Sequence, residues 1–399
     1  MPKIEDFPVP LAKPWLDDRE AKAAARPILS GWVTQGPEVA AFEREFAGHV
    51  GAGHACAVAN CTTALHLALL AVGVDAGAEV VTVSHSFIAT ANSIRYCGAV
   101  PVFVDIEEST FNIDPNKIEA AITQCTKAIL CVHQVGMPCD IAAITDIARR
   151  FAIPVIEDAA CATGSEILWN GQWERIGKPH GDIACFSFHP RKVITTGDGG
   201  MLTTSNTQWD RQFRLLRQHC MDVPDVVRHG SREVVCESYP ALGYNYRMTD
   251  IQAAVGRIQL ERLPEILVRR RALAERYRSL LVDVAGVRVA QERAWARSNW
   301  QSFCIWLPEG ANQRDVMQRM LDAGVATRRG VMCSHREMAY PTTTWSCGAI
   351  ECDCRAHSCA RLSASERAQD GSIILPLFAQ MTHEQQDHVV AALRNALSS

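Results

Sequence analysis

The sequence predicts an α/β fold, with a large, mainly parallel seven-stranded sheet carrying helices on both faces and a smaller α+β C-terminal domain. Three observations lead there. Between Ala55 and Thr204, short runs of β-branched and apolar residues alternate with helical stretches; beyond Asn245 the pattern becomes one long helix; and 399 residues are too many for one small core but suit two domains. The strand candidates are Ala55–Ala59, Glu79–Val83, Val100–Asp105, Ala128–His133, Val155–Asp158, Ile183–Ser187 and Met201–Thr204. Between them, Thr63–Val72 and Ala142–Phe151 place apolar residues at i, i+3 and i+4, the stripe of a helix lying on a sheet. Met248–Leu281 is helical in pattern and rich in arginine, including Arg269-Arg270-Arg271. Glu261, Glu265 and Glu275 intersperse that charge, so it reads as a solvated helix joining two domains rather than a nucleic-acid patch. Past Gly286, strands near Val287–Ala290 and Gln301–Leu307 and helices near Gln313–Ala323 and His383–Leu397 build the smaller domain. The expected organisation is an N-terminal segment 1–30, a large domain 31–255 and a smaller domain 256–399 that begins in the long helix.

Composition narrows the function classes. A hydrophobic content of 48%, charged residues at 21% and a formal net charge of −4 describe a globular protein with no general attraction to nucleic acid or anionic lipid. The N-terminal residues lack a basic stretch followed by an apolar one, and no run approaches the ~20 apolar residues of a membrane span. A cytoplasmic protein is expected. Most of the 16 cysteines, such as Cys56, Cys97, Cys131 and Cys185, sit singly in apolar runs and read as small reduced core residues. Cys347, Cys352, Cys354 and Cys359, preceded by Cys333, are spaced C-x4-C-x-C-x4-C. The usual C-x2-C pairs are absent, so the expectation is a cysteine-rich loop without a metal.

The chemistry concentrates around Lys192, which follows the apolar run Phe186-Ser187-Phe188 and precedes Gly197-Asp198-Gly199-Gly200. Near the end of a buried strand, desolvation is expected to favour the neutral, nucleophilic amine that a Schiff-base lysine needs. Upstream, Pro154-Val155-Ile156-Glu157-Asp158 is a strand ending in two carboxylates, and an acid at the C-terminal end of a parallel strand faces the ligand crevice. Thr62 and Thr63 fall at a strand-to-helix junction, where free N–H groups and the helix dipole attract phosphate. A lysine and an acid so placed suit pyridoxal phosphate, whose aldehyde needs an amine and whose ring nitrogen needs an anion.

Several blocks then occur in one order: Gly36-Pro37 with Phe42-Glu43, Asn60-Cys61-Thr62-Thr63-Ala64-Leu65, Ser84-His85-Ser86-Phe87-Ile88-Ala89-Thr90-Ala91-Asn92, Pro101-Val102-Phe103-Val104-Asp105, Glu157-Asp158-Ala159-Ala160, the Lys192 block and Gly243-Tyr244-Asn245-Tyr246-Arg247-Met248. From about Gly31 to the last helix the chain resembles the DegT/StrS-type aminotransferases of nucleotide-linked keto-sugars, which are fold-type-I pyridoxal-phosphate enzymes. Cys131–Asp140 and Ile194–Gly200 look most like 4-amino-sugar synthases of the perosamine type.

The resemblance implies that Lys192 carries the cofactor, Asp158 faces its ring nitrogen, Thr62, Thr63 and Ser187 take its phosphate, and Phe87 covers its ring. Cys61 and Cys161 stand where the family usually has glycine and glutamine, the latter contacting the cofactor's phenolic oxygen. His189, Arg247 and His335 would meet the substrate, and Asn245 would complete the active site of the partner subunit in a homodimer. Taken alone, Thr62 reads as a helix N-cap, Phe87 as a core ring, Cys161 as packing, His189 as a structural histidine and Arg247 as half of a buried pair. The implied reaction moves an amino group from an amino acid, glutamate, to C4 of a nucleotide-linked keto-deoxysugar. The rivals are a sugar 3-dehydratase of the same fold, in which histidine replaces the lysine, and a non-catalytic regulator that retains the fold.

Overall fold

The computed structural model describes residues 9–223, 234, 236–348, 352 and 354–398. In chain order its elements are α1 (Asp18–Ser30), α2 (Pro37–Val50), β1 (His54–Val58), α3 (Cys61–Ala71), β2 (Glu79–Val83), α4 (Ala89–Tyr96), β3 (Val100–Val104), β4 (Thr126–Val132), α5 (Ile141–Phe151), β5 (Val155–Asp158), β6 (Glu166–Trp169), β7 (Gln172–Arg175), β8 (Ile183–Ser187), β9 (Gly200–Thr204) and α6 (Thr207–Leu216). There follow α7 (Asp250–Leu281), β10 (Arg288–Val289), β11 (Ala296–Arg297), β12 (Phe303–Trp306), α8 (Gln313–Asp322), β13 (Arg328–Arg329), α9 (Ser363–Gly371), β14 (Ser372–Leu375) and α10 (His383–Leu397).

The seven-stranded sheet runs β1-β9-β8-β5-β4-β2-β3. Its β8-β5-β4-β2-β3 portion is parallel, and β9 pairs antiparallel with both β1 and β8. The period-two alternation of a strand sorts its side chains between two helical layers. Val155, Ala184 and Phe186 enter the core shared with α2, α5 and α7, whereas Ile156, Ile183 and Cys185 enter the core shared with α3, α4 and α6. Burial on both faces explains why these strands read as nearly continuous apolar runs.

A capping box of Thr249 and Gln252 starts α7, which then passes from one core to the other. Leu260, Leu263 and Ile266 pack into the large-sheet core, and Leu273, Tyr277 and Leu281 into the core around the four-stranded sheet β10-β12-β14-β13. α1 lies against α7, where Arg262 meets Glu20 and Asp17. A three-stranded sheet, β11-β6-β7, is an element the sequence pattern did not suggest. Its alternating polar run Glu166–Arg175 is half-exposed and too short to stand out from loop.

Candidate active site

Parity along the strands aims two of the sequence-selected residues at one place. Asp158 shares the face of Ile156 and Ser187 that of Cys185, so both point toward α3 and α4 at the C-terminal ends of their strands, the usual ligand crevice of an open α/β sheet. A cavity of about 700 Å³ opens there, large enough for a cofactor together with a substrate. Thr62, Thr63, Phe87, Asp158, Cys161, Ser187, His189 and Lys192 all line it.

Asp158 is buried, and its orientation is fixed by a relay. Thr90 donates to its Oδ2 at 2.7 Å and the N–H of Ala160 to its Oδ1 at 3.1 Å. Because the Thr90 proton is spent on the carboxylate, the 2.7 Å contact between Thr90 and Ser86 must be donated by Ser86. Burial holds the carboxyl above its ordinary range, opposed by the Thr90 and Ala160 bonds and by Lys192 and His133. A buried carboxylate short of counter-charge favours a protonated ring nitrogen as its partner.

Lys192 donates from Nζ to the Cys161 sulfur at 3.1 Å. Burial alone would favour the free amine, as the sequence suggested. The sulfurs of Cys161 and Cys61 and the Asp158 carboxylate outweigh it, and the amine sits above the usual lysine range. The expectation of a neutral lysine is therefore corrected: desolvation is present, but anionic and sulfur neighbours decide the sign. Cys161 does more than pack, since it holds Lys192 while its carbonyl accepts from Asn299 at 2.8 Å.

The N-cap of α3 is Asn60, not Thr62. Its side chain accepts from the Thr63 N–H at 3.0 Å, and the Thr63 hydroxyl donates back to the Asn60 carbonyl at 2.7 Å. The first-turn N–H groups of Cys61 and Thr62, with the Thr62 hydroxyl, are what this helix end offers an anion. Cys61 in place of glycine is accommodated because its side chain turns into the core and meets the Cys185 carbonyl at 3.6 Å. The helix end sits directly on β9. A Cβ at Gly200 would lie 2.5 Å from the Asn60 carbonyl carbon and oxygen and 2.8 Å from the Cys61 nitrogen. Gly200→Ala should therefore displace this anion site, costing ~1–3 kcal/mol of stability and weakening cofactor affinity. Melting and a titration with pyridoxal phosphate check both; unchanged affinity would mean that the helix end does not hold the phosphate.

Three sequence-selected residues lie outside this lining. Asn245 is exposed and accepts from Arg247 at 3.2 Å, on a segment bonded beside the end of β1 through Tyr246. His335 is buried, with Nδ1 2.6 Å from the Ser84 hydroxyl and Nε2 3.1 Å from Glu366. Both ring nitrogens are occupied, which places it behind the wall and not against a substrate. Conversely, the lining includes Asn60, Gln134, Arg191, Gln301, Arg328 and Arg329, to which the sequence reading gave no role. Burial and the charges of Arg191 and Arg329 hold Arg328 below the ordinary guanidinium range. Crowded cations at a cavity mouth favour an anionic ligand. The Arg328-Arg329 pair before Gly330 was the available signal, but nothing local connects it with Lys192, more than 130 residues away.

The residues present fit pyridoxal phosphate: a carboxylate for the ring nitrogen, an amine, a helix N-terminus with hydroxyls for the phosphate, and an aromatic ring at the cavity. Fold and site together define a pyridoxal-phosphate-dependent aminotransferase. The DegT/DnrJ/EryC1/StrS aminotransferase family model matches residues 14–394, and the chain belongs to that family. It is 38% identical to GDP-perosamine synthase of Caulobacter vibrioides over 99% of this chain and 100% of that protein. Among solved structures it is similar to the aminotransferase TlmJ from Streptoalloteichus hindustanus, with 30% identity, a TM-score of 0.86 and coverage of 98% and 99% of the two chains. DesV of S. venezuelae, solved with a ketimine intermediate, gives 30% identity, a TM-score of 0.84 and the same coverage. The protein is a sugar aminotransferase with pyridoxal phosphate as its cofactor.

Proposed function

We propose that the protein transfers an amino group from glutamate to C4 of a nucleotide-linked keto-deoxysugar, with Lys192 binding the cofactor through Nζ and Asp158 holding its ring nitrogen. The observation that carries this reading is the convergence of Lys192, Asp158 and the first turn of α3 on one cavity. Bound pyridoxal phosphate supplies the electron sink that lets a C–H bond next to the amino group ionise. Asp158, oriented by Thr90, keeps that sink effective by stabilising positive charge at the ring nitrogen. The Lys192 amine, parked 3.1 Å from Cys161, is placed within the cavity to take up the proton of that C–H bond and to return it to carbon. The first-turn N–H groups of α3, the Thr62 hydroxyl and Ser187 anchor the phosphate, whereas Thr63 is held in the capping box with Asn60, and Phe87 covers the ring.

The guanidinium groups of Arg191, Arg328 and Arg329 supply the positive field that both a donor carboxylate and a nucleotide diphosphate require. The likeness to GDP-perosamine synthase supports the C4 position and the nucleotide carrier. Lys192 itself speaks against the dehydratase reading. Incubating the purified enzyme with glutamate and a panel of nucleotide-linked 3-keto and 4-keto sugars tests the proposal. Amination of a 4-keto substrate is expected; turnover confined to 3-keto sugars would overturn the regiochemistry.

Asn245, exposed on its own chain, is proposed to reach the cofactor of the partner subunit in a homodimer. Mixing inactive Lys192→Ala chains with inactive Asn245→Ala chains should regenerate activity, because one site in each mixed dimer then has both residues intact. Mixed dimers that form yet stay inactive would place Asn245 in its own subunit's chemistry or outside the site.

A further inference from the structure

The cysteine-rich segment before α9 is not absorbed by the aminotransferase chemistry. The sulfur atoms of Cys347, Cys352, Cys354 and Cys359 all lie within 4.8 Å of one another. Cys347 and Cys354 are 3.5 Å apart, Cys354 and Cys359 3.4 Å, and Cys352 and Cys359 3.7 Å. A disulfide would need ~2.05 Å. Four sulfurs bonded at ~2.3 Å to one tetrahedral ion stand about 3.8 Å apart, close to the separations here.

From this geometry we propose that the four cysteines bind a single structural zinc ion, independently of the aminotransferase site. An all-sulfur tetrahedral donor set selects zinc or iron, and four thiols converging this tightly enclose one ion rather than a polynuclear cluster. Cys347 and Cys359 are buried and the other two half-buried, and four protein ligands leave no open position, which is the pattern of a structural and not a catalytic metal. The spacing lacks a C-x2-C pair, and that was the ground for expecting no ligand. The fold supplies the turns instead. Gly348 has φ +70° immediately after Cys347. Arg355 and Ser358 exchange backbone hydrogen bonds of 2.9 and 3.2 Å, closing a hairpin that returns Cys359 to Cys354.

The zinc would join two stretches of chain, one fixed to β3, the edge strand of the large sheet, and the other to Asp105 just past its end. Next to Cys347, Ser346 extends that edge by accepting from the Phe103 N–H at 2.7 Å and donating to the Pro101 carbonyl at 3.0 Å. Beyond Cys359, the N–H groups of Ala364 and Ser365 cap α9 onto the Asp105 carboxylate at 2.9 and 2.7 Å. A metal clip between these stretches covers an edge that would otherwise present unpaired backbone groups. The Cys359 N–H also donates to Glu366 at 2.6 Å, and Glu366 holds His335 against Ser84, so the clip braces the wall behind the cavity.

The test uses full-length protein purified under reducing conditions without metal-affinity chromatography. Elemental analysis should find about one zinc per chain, and exchange with cobalt(II) should give the intense visible bands and sulfur-to-metal charge transfer of a tetrahedral thiolate site. A Cys352→Ser/Cys354→Ser double variant should lose the zinc, whereas Cys125→Ser, at an exposed cysteine apart from the cluster, should keep it. Wild-type protein that carries no stoichiometric metal and takes up neither zinc nor cobalt overturns the proposal, as does mapping of the four cysteines into two disulfides. Stoichiometric iron would overturn the choice of zinc. Should the double variant not fold, the wild-type metal content and cobalt spectrum still decide.

Discussion

Lys192→Ala is expected to reduce turnover by at least ~10²–10⁴-fold, the range lost when a positioned acid–base group is removed, while leaving the fold in place. The side chain contributes one hydrogen bond, to Cys161, and the sheet beneath it is packed by Phe186, Phe188 and Met201 without it. Melting temperature should therefore move little while single-turnover amination collapses. Borohydride reduction of the holoenzyme followed by peptide mapping gives the complementary result: the label should fall on the peptide containing Lys192. A label on another lysine, or near-normal turnover in the variant, would remove Lys192 from the chemistry. Cys161→Ser is the informative control, since a hydroxyl still accepts from the amine but is smaller and far less acidic than a thiol.

On the opposite face of β5, Glu157→Gln is expected to cost about 3–5 kcal/mol of stability, the penalty for breaking a buried ion pair from one side. Glu157 and His133 are both fully buried, 2.9 Å apart, and Glu157 also accepts from the Gly181 N–H at 2.8 Å. Burial works against the Glu157 charge, yet His133, His180 and the Gly181 N–H outweigh it and hold the carboxyl below its ordinary range. Burial likewise opposes the His133 charge, but Cys139 and Glu157 raise it to about 10.

The signs fix the pH dependence. A histidine raised from about 6.5 to about 10 contributes stability that is fully present below 6.5 and is lost as pH rises through 10. A lowered glutamate contributes stability present above its unfolded value of about 4.5 and lost as pH falls through the folded one. Wild-type stability should thus hold near neutrality and drop toward pH 10, and the variant should begin lower with a shallower alkaline limb, because Cys139 still raises His133 when the Glu157 charge is gone. Urea denaturation across this range is the measurement. Equal stability of the two proteins at pH 7 would show that the pair contributes nothing.

Much of the large sheet was legible because parallel strands buried on both faces are written as short apolar runs, and each of the seven runs lies within a residue or two of a strand from β1 to β9. The β6–β7 hairpin escaped because half-exposed strands of four residues carry too little pattern. Around the cavity, the blocks that could be read were those in which chain and site coincide: a strand ending in Asp158, a strand leading to Lys192, and a strand-to-helix junction at Thr62 and Thr63. Thr90 stayed silent because its partner, Asp158, lies 68 residues away.

The sequence by itself determined the α/β layering, the lysine–carboxylate pair and the family, since each is carried by local periodicity or by a short contiguous motif. Only the tertiary structure decided the surroundings of Lys192, since the Cys161 sulfur and the Asp158 carboxylate reach it from the end of β5, the neighbour of the strand that leads to the lysine. It also decided that Arg328 and Arg329 of β13 reach the same cavity, and that His335 is held behind the wall by Ser84 and Glu366. The four cysteines make the same point. Their spacing argued against a metal, but turns set by Gly348 and the hairpin from Arg355 to Ser358 bring the sulfurs together, because ligand geometry depends on where loops return in space and not on how many residues separate them.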